Sequence, residues 1–275
     1  MNYRHGYHAG NFADIFKHAV LARVLTLMSA KQTPYRVIDT HAGAGRYDLD
    51  GKNAQATGEA NNGIRKLLGN LPQGAALELL QPYLHAVEKC APAYPGSPLI
   101  VQTLARAQDA MVFCELHPEE FALLEKSIGR DRRAKTLALD GWIALKSLLP
   151  PKERRGVILI DPPYEDPAEF KRVADGLEEA VRRFATGIYL IWYPLKNRHD
   201  TDAAIRRIVR AAAKPALKLE FEIEKRQAEG PLHATGMLLI NPPWKLKEEC
   251  ELILPALHQS LAGANRGAVR IEATD

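Results

Sequence analysis

Cysteine is scarce in this chain. Its three cysteines, Cys90, Cys114 and Cys250, are odd in number and far apart, which argues against a disulfide framework and against a thiolate metal site. Long apolar runs are missing too. No stretch approaches the roughly 20 residues that a membrane-spanning helix needs, so no membrane role is expected. The start of the chain, Met1-Asn2-Tyr3-Arg4-His5-Gly6, lacks the charged and then apolar regions of a secretory signal, and a cytoplasmic location is expected. There is no internal repeat and no low-complexity tract. Nothing patterns as a coiled coil or an obligate apolar interface, so the expectation is a monomer with no obligate protein partner.

What is present suits a soluble globular protein. The 275 residues are 46% apolar and 25% charged, enough to bury a substantial core. The formal net charge is +4, a mild basic excess. The basic residues cluster at Arg130, Arg132 and Arg133, at Lys152, Arg154 and Arg155, at Arg206, Arg207 and Arg210, and at Lys245 and Lys247. Placed beside a catalytic site, such clusters attract a phosphate backbone; on separate helix faces they are ordinary solvated surface.

Apolar runs alternate with helical patterns, the signature of a parallel sheet covered by helices. Strands are predicted at 36–39, 110–115, 136–140, 156–161, 187–192, 217–223 and 236–240, the last two pairing as a hairpin. Helices are predicted at 97–107, 118–128, 168–184, 201–213 and 246–261. The fold class is thus α/β, a Rossmann-like, seven-stranded, mostly parallel sheet forming a single domain over 1–275. Residues 49–94 are too long for a simple crossover and are mostly helical, so they are read as an inserted helical subdomain. The tail after Gly263 is expected to be loosely held.

The first strand ends in Asp39-Thr40-His41-Ala42-Gly43-Ala44-Gly45-Arg46. Gly43 and Gly45, directly after a strand, allow a tight turn and close approach of a ligand. An acid at the strand end suits the cationic sulfonium and amino-acid ends of S-adenosylmethionine. Glu115 ends the second strand, where it can accept from ribose hydroxyls. Asp140 ends the third, followed by Gly141, where it can accept from an adenine amine; Asp161 ends the fourth. Carboxylates at consecutive carboxyl ends face one crevice. Alternatively each caps the next helix, a reading that serves one of them better than four in a row.

Asp161-Pro162-Pro163-Tyr164 follows the apolar run 157–160. An exocyclic amine is a poor nucleophile because its lone pair is delocalised into the ring. A carboxylate and a backbone carbonyl accepting its two protons draw it toward tetrahedral geometry and aim the lone pair at an incoming methyl group. Pro162 and Pro163 stiffen the turn, and Tyr164 offers a ring for an extruded base. A second candidate, Asn241-Pro242-Pro243-Trp244, follows 237–240. Order along the chain favours Asp161 as the catalytic residue, leaving Asn241 to Trp244 as a structural turn or substrate-side surface. Nine histidines raise a metal reading for His5 with His8, or His18 with His41, but no acidic or cysteine partner has metal-site spacing.

Over nearly its whole length the sequence resembles the RlmJ family of 23S ribosomal RNA adenine-N6 methyltransferases. The likeness runs through Tyr3-Arg4-His5, His8 to Asn11, Asp14, Lys17-His18, Asp39 to Tyr47, Tyr94 to Pro98, Glu115 to Pro118, Asp140-Gly141, the Asp161 motif, Trp192 to Pro194 and Asn241 to Leu246. The resemblance implies a class I methyltransferase fold with a helical insertion and 23S ribosomal RNA as partner. It implies that His18, His41, Ser97, Glu115, Asp140, Gly141 and Asp161 contact or border S-adenosylmethionine and that Asp161 is catalytic. It also implies that residues 1–20, with Tyr3, cover the target base. DNA adenine methylation shares the motif, and a non-catalytic RNA-binding protein with this fold is the alternative from another class.

Overall fold

The computed structural model describes residues 5–225, 232–263 and 266–274. Its main sheet has eight strands: β1 (Arg36–Asp39), β2 (Ala110–Cys114), β3 (Ala134–Leu137), β4 (Gly156–Ile160), β5 (Ile188–Pro194), β6 (Ala216–Glu222), β7 (Ala234–Ile240) and β8 (Val269–Thr274). The spatial order is β3-β2-β1-β4-β5-β7-β6-β8. β1 to β5 are parallel, β7 runs against both β5 and β6, and β8 runs against β6.

Seven strands were expected and the eighth corrects that count. It lies in the tail expected to be loose, yet it pairs with β6 from Val269 opposite Phe221 to Thr274 opposite Ala216. The reason is period-two alternation in Val-Arg-Ile-Glu-Ala-Thr: Val269 and Ile271 turn to the core while the polar residues turn out. β3 also starts and ends earlier than predicted, because Asp140 is taken by the next helix as its cap.

The strands bury both faces. Val37 belongs to one core and Ile38, its neighbour, to the other. The first core is covered by α1 (Phe12–Ser29), α2 (Ala75–Cys90), α3 (Ser97–Leu104), α4 (Pro118–Ile128) and α8 (Leu246–Leu261). The second is covered by α5 (Gly141–Ser147), α6 (Glu169–Arg183) and α7 (Arg198–Ala212). α1 is buried almost all round, as a helix apolar on every side must be. The stretch 49–94 holds short helices at Lys52–Thr57, Glu59–Asn62 and Ile64–Gly69 before α2. Ile64, Leu67, Leu80 and Tyr83 enter the same core as α1 and α8, so this stretch thickens that layer.

β1 sits at the centre, and the chain leaves it in one direction for β2 and β3 before returning to its other side as β4. This reversal is a topological switch point, and the crevice beyond the carboxyl ends of β1 and β4 is where open α/β sheets bind ligands.

Candidate active site

A cavity of about 860 Å³ opens at that switch point, within the range of small-molecule sites. Thr40, His41, Gly43, Glu115, Asp140, Gly141 and the run Asp161 to Tyr164 all line it, each one from the carboxyl end of a strand. Asp39 is fully buried and connects to the cavity through two residues that line it: it accepts from Ser97 Oγ at 2.7 Å and from the His41 backbone N–H at 3.2 Å. Burial pushes its carboxyl up to about 7, against the pull of the Ser97 hydrogen bond.

The two glycines of the first turn divide their work. Gly43 has φ +62° and donates its N–H to Glu115 Oε2 at 2.9 Å, and a Cβ on it would strike the Tyr47 hydroxyl. Gly45, at φ +76°, instead faces Leu124, Ser127 and Pro98 and lets α3 and α4 close on the loop; it does not line the cavity. Glu115 also accepts from the His117 N–H at 2.7 Å. Asp140 does cap α5, accepting from the backbone of Trp142 and Ile143 through Oδ1, and it lines the cavity as well. The capping alternative thus holds for Asp140 alone among the four acids. Gly141 is wedged: a Cβ there would lie 2.6 Å from Thr40 O and 2.7 Å from His41 Cε1.

α1 supplies a wall of the site; sequence reasoning named His18 on it, but not Asp14 or Lys17, as site residues. Lys17 Nζ lies 2.7 Å from Asp161 Oδ2 and 3.1 Å from Asp14 Oδ1, with its side chain only 6% exposed. Asp14 further accepts from His5 Nε2 and the Gly10 N–H, both at 2.9 Å. Burial disfavours its charge, but the neighbouring His5 and Lys17 outweigh that and hold it well below the usual carboxylate range. Acid and base three apart on a helix normally mark a solvated face. The available signal was that α1 has no polar face to solvate them.

His18 bonds Tyr94 Oη at 2.9 Å, and Tyr94 meets Tyr83 Oη at 3.1 Å. Burial pushes His18 down to about 3 and His41 down to about 4, so both imidazoles are neutral at physiological pH. Tyr164, at φ +50°, is buried; its hydroxyl donates to Trp192 O at 2.8 Å and its ring leans on Phe170. Two wall atoms, His117 Nδ1 and Trp192 Nε1, are buried and have no hydrogen-bond partner among the described residues. Tyr3 lies outside the described residues. His5, the first of them, lines the cavity edge-on to Tyr47.

Asn241 lies elsewhere. Because β7 is reversed, its carboxyl end reaches the amino-terminal edge of the sheet, where Asn241 Nδ2 donates to Ala185 O and Gly187 O. The basic clusters 130–133, 152–155 and 245–247 share that far edge and are not beside the cavity. Among the described residues no group of three histidines, cysteines or acids is placed to hold a metal, and no helix is long and apolar enough to cross a membrane.

The family model described as "Ribosomal RNA large subunit methyltransferase D, RlmJ" matches residues 32–274. The chain is 39% identical over 272 residues to "Ribosomal RNA large subunit methyltransferase J" of Escherichia coli (strain K12), covering 97% of this chain and 96% of that one. The protein of the same name from Haemophilus influenzae is 36% identical over 280 residues, covering 99% and 98%. A crystal structure of a protein from Legionella pneumophila str. Philadelphia 1 superposes with a TM-score of 0.86 at 33% identity, covering 97% and 98%. A probable spermidine synthase from Corynebacterium glutamicum, at 13% identity and a TM-score of 0.50 over 95% and 75% of the two chains, shares the fold alone.

Proposed function

The chain belongs to the RlmJ family of large-subunit ribosomal RNA methyltransferases, and from that premise we propose that its cavity takes S-adenosylmethionine and methylates the N6 amine of one adenine in 23S ribosomal RNA. The observation that carries this reading is that Asp161, with Pro162, Pro163 and Tyr164, lines the same cavity as the Gly43 turn, Glu115 and Asp140. The enzyme then acts in the cytoplasm on its RNA, and one chain holds every residue the reading uses, which favours a monomer.

The donor set fits S-adenosylmethionine. Gly43 and Gly141 line the cavity where the backbone packs too closely on Tyr47, Thr40 and His41 for any Cβ, so bare backbone faces the ligand there. Each Glu115 oxygen accepts one backbone N–H and retains a lone pair for a ribose hydroxyl. Asp140 holds α5 through Oδ1, leaving Oδ2 for an adenine amine. Asp39 and Ser97 supply acceptors toward the cationic amino-acid end, with His18 and His41 as neutral neighbours and Gly45 keeping the turn closed. When bound, the cofactor supplies an electrophilic methyl group on a cationic sulfur.

The protein's part is to prepare the nucleophile. Lys17 holds Asp161 by Oδ2, which fixes the carboxylate plane. Among the described residues Oδ1 accepts no hydrogen bond and is left for one proton of the amine; the Pro162 carbonyl takes the other. Tyr164, fixed by Trp192 O, walls the base. With the methyl group passed from sulfur to nitrogen and the sulfur left as a neutral thioether, Asp161 would take the proton that the nitrogen then sheds and hand it to water. Tyr3 and the segment 1–20 cover the base in this reading.

Incubation with labelled S-adenosylmethionine and, in parallel, an unmodified transcript of 23S ribosomal RNA and duplex DNA, followed by mapping of the label, tests the proposal. Label on one adenine N6 is expected. Label confined to duplex DNA, or none on RNA, overturns it.

A further inference from the structure

Seven loops meet the amino-terminal edge of the sheet, the edge away from the cavity: 30–35, 105–109, 129–133, 148–155, 184–187, 213–215 and 241–245. They carry ten lysines and arginines against three acids, a net charge of +7 where the whole chain has +4. The rest of the molecule is therefore net acidic, and acids such as Glu59, Glu115, Asp140, Asp161 and Glu165 line the cavity. A polyanion finds its favourable field on the far edge.

The charges on this edge fall into two groups. The three acids are engaged internally: Asp109 with Arg106, Asp131 with Arg133 and Glu153 with Arg36. Half-buried arginines lace the loops together. Arg106 donates to Ser29 O and Lys31 O, Arg133 to Gln102 O, and Arg155 to Met28 O. Lys31, Arg130, Arg132, Lys152, Arg154 and Lys245 are different: all are exposed and none has an ion-pair partner among the described residues. They extend from the loop before β3 to the loop after β7, across five inter-strand gaps, roughly 24 Å at about 4.8 Å per strand.

Trp244 stands at one end of this row. It is 81% exposed, and Lys245 Nζ lies 5.1 Å from its ring centroid. The two Asn241 hydrogen bonds tie its turn to the start of β5, so the ring is presented from a fixed base. It is the only exposed large apolar side chain in these loops, too little for a lipid surface but suited to one stacked nucleobase with a cation beside it.

We propose that this edge is a second RNA-contact surface, which holds phosphates of the substrate RNA outside the target nucleotide and stacks one unpaired base on Trp244. The inference rests on the proposed function for the identity of the RNA. It assigns the substrate's grip and the chemistry to opposite edges of one sheet.

The test compares the wild type, a triple variant R130E/K152E/R154E and W244A, all full length. Binding of an unmodified 23S ribosomal RNA transcript is followed by filter retention over a salt series. Methyl transfer is followed on the transcript and on a short hairpin carrying only the target. The triple variant is expected to bind the transcript at least ten-fold more weakly, with a salt slope shallower by about 2–3 at roughly 0.7–0.9 per lost phosphate contact. Its KM for the transcript rises while kcat and turnover of the hairpin stay at wild-type values. W244A weakens binding several-fold with the slope unchanged. Wild-type affinity and slope in the triple variant overturn the proposal, as does an equal loss on hairpin and transcript; melting curves and R130Q/K152Q/R154Q separate lost contacts from lost folding. A wild type that methylates no RNA defeats the proposed function instead, and the binding series still decides this one.

Discussion

Lys17 and Asp161, 144 residues apart in sequence, meet at 2.7 Å in the wall of the cavity. The contact joins a buried helix of the amino-terminal segment to the loop after β4. It makes one unit of two elements that a sheet-first view of this fold treats separately.

Removal of Lys17 therefore has two separable effects. Asp14 would lose one of its balancing cations inside the protein, and leaving a buried charge uncompensated costs about 3–5 kcal/mol. Lys17→Met is expected to lower the melting temperature by many degrees and to abolish turnover. Adding Asp14→Asn should recover much of the stability and none of the activity. A double variant that regains turnover would show that Lys17 serves only the fold.

Asp161→Asn is the opposite case. Its side chain is part-exposed in the cavity, so the fold should survive with a melting temperature near that of the wild type. With the amide oxygen claimed by Lys17, the NH₂ of the new side chain faces the amine, a donor where the reaction needs an acceptor, and kcat should fall by at least about 10²–10³, the size seen when one oriented hydrogen bond to a reacting group is removed. Single-turnover methyl transfer measures it. Unchanged turnover would remove Asp161 from its assigned role.

The order of acids and strands was legible because β1, β2 and β4 run straight into or end on a carboxylate and Asp140 follows closely after β3, and parallel strands put those ends together. Asp39, Glu115, Asp140 and Asp161 needed no more than that. Lys17 was not legible as a site residue, because its partner depends on how α1 docks across the sheet, which no local spacing encodes. β8 was missed for another reason: an edge strand needs only a six-residue alternation, and a glycine-bearing approach at 263–267 looked like the end of order. The basic clusters were visible, but their edge was not, since which end of a strand a loop joins follows from topology alone.

Gly141 tests the packing of α5 against β1. Any side chain there meets Thr40 O, a backbone atom at the end of the central strand, and the His41 ring. Gly141→Ala should cost about 1–3 kcal/mol by overpacking and weaken cofactor binding at least ten-fold, because Asp140 and His41 are displaced together. Thermal melts and calorimetric titration with S-adenosylmethionine give both numbers. A variant that binds the cofactor normally would place the adenine end elsewhere in the cavity.

Asp39 predicts a pH dependence whose sign can be worked out. Burial raises its carboxyl from the ordinary 3.8 to about 7, so the folded protein holds a proton there that the unfolded chain has released. That contribution to stability is complete below about pH 4 and is lost as pH rises through 7. A cation bound near Asp39 favours the ionised form, so cofactor binding must expel the proton. Affinity for S-adenosylmethionine should therefore increase from pH 5.5 to 8, with proton release detectable by calorimetry in buffers of different ionisation enthalpy. Asp39→Asn removes the titrating group and should flatten the profile while weakening binding at pH 8. Because Ser97 donates to the same carboxylate, Ser97→Ala should move the midpoint upward, and an unshifted profile in both variants would mean that the pH response comes from another group.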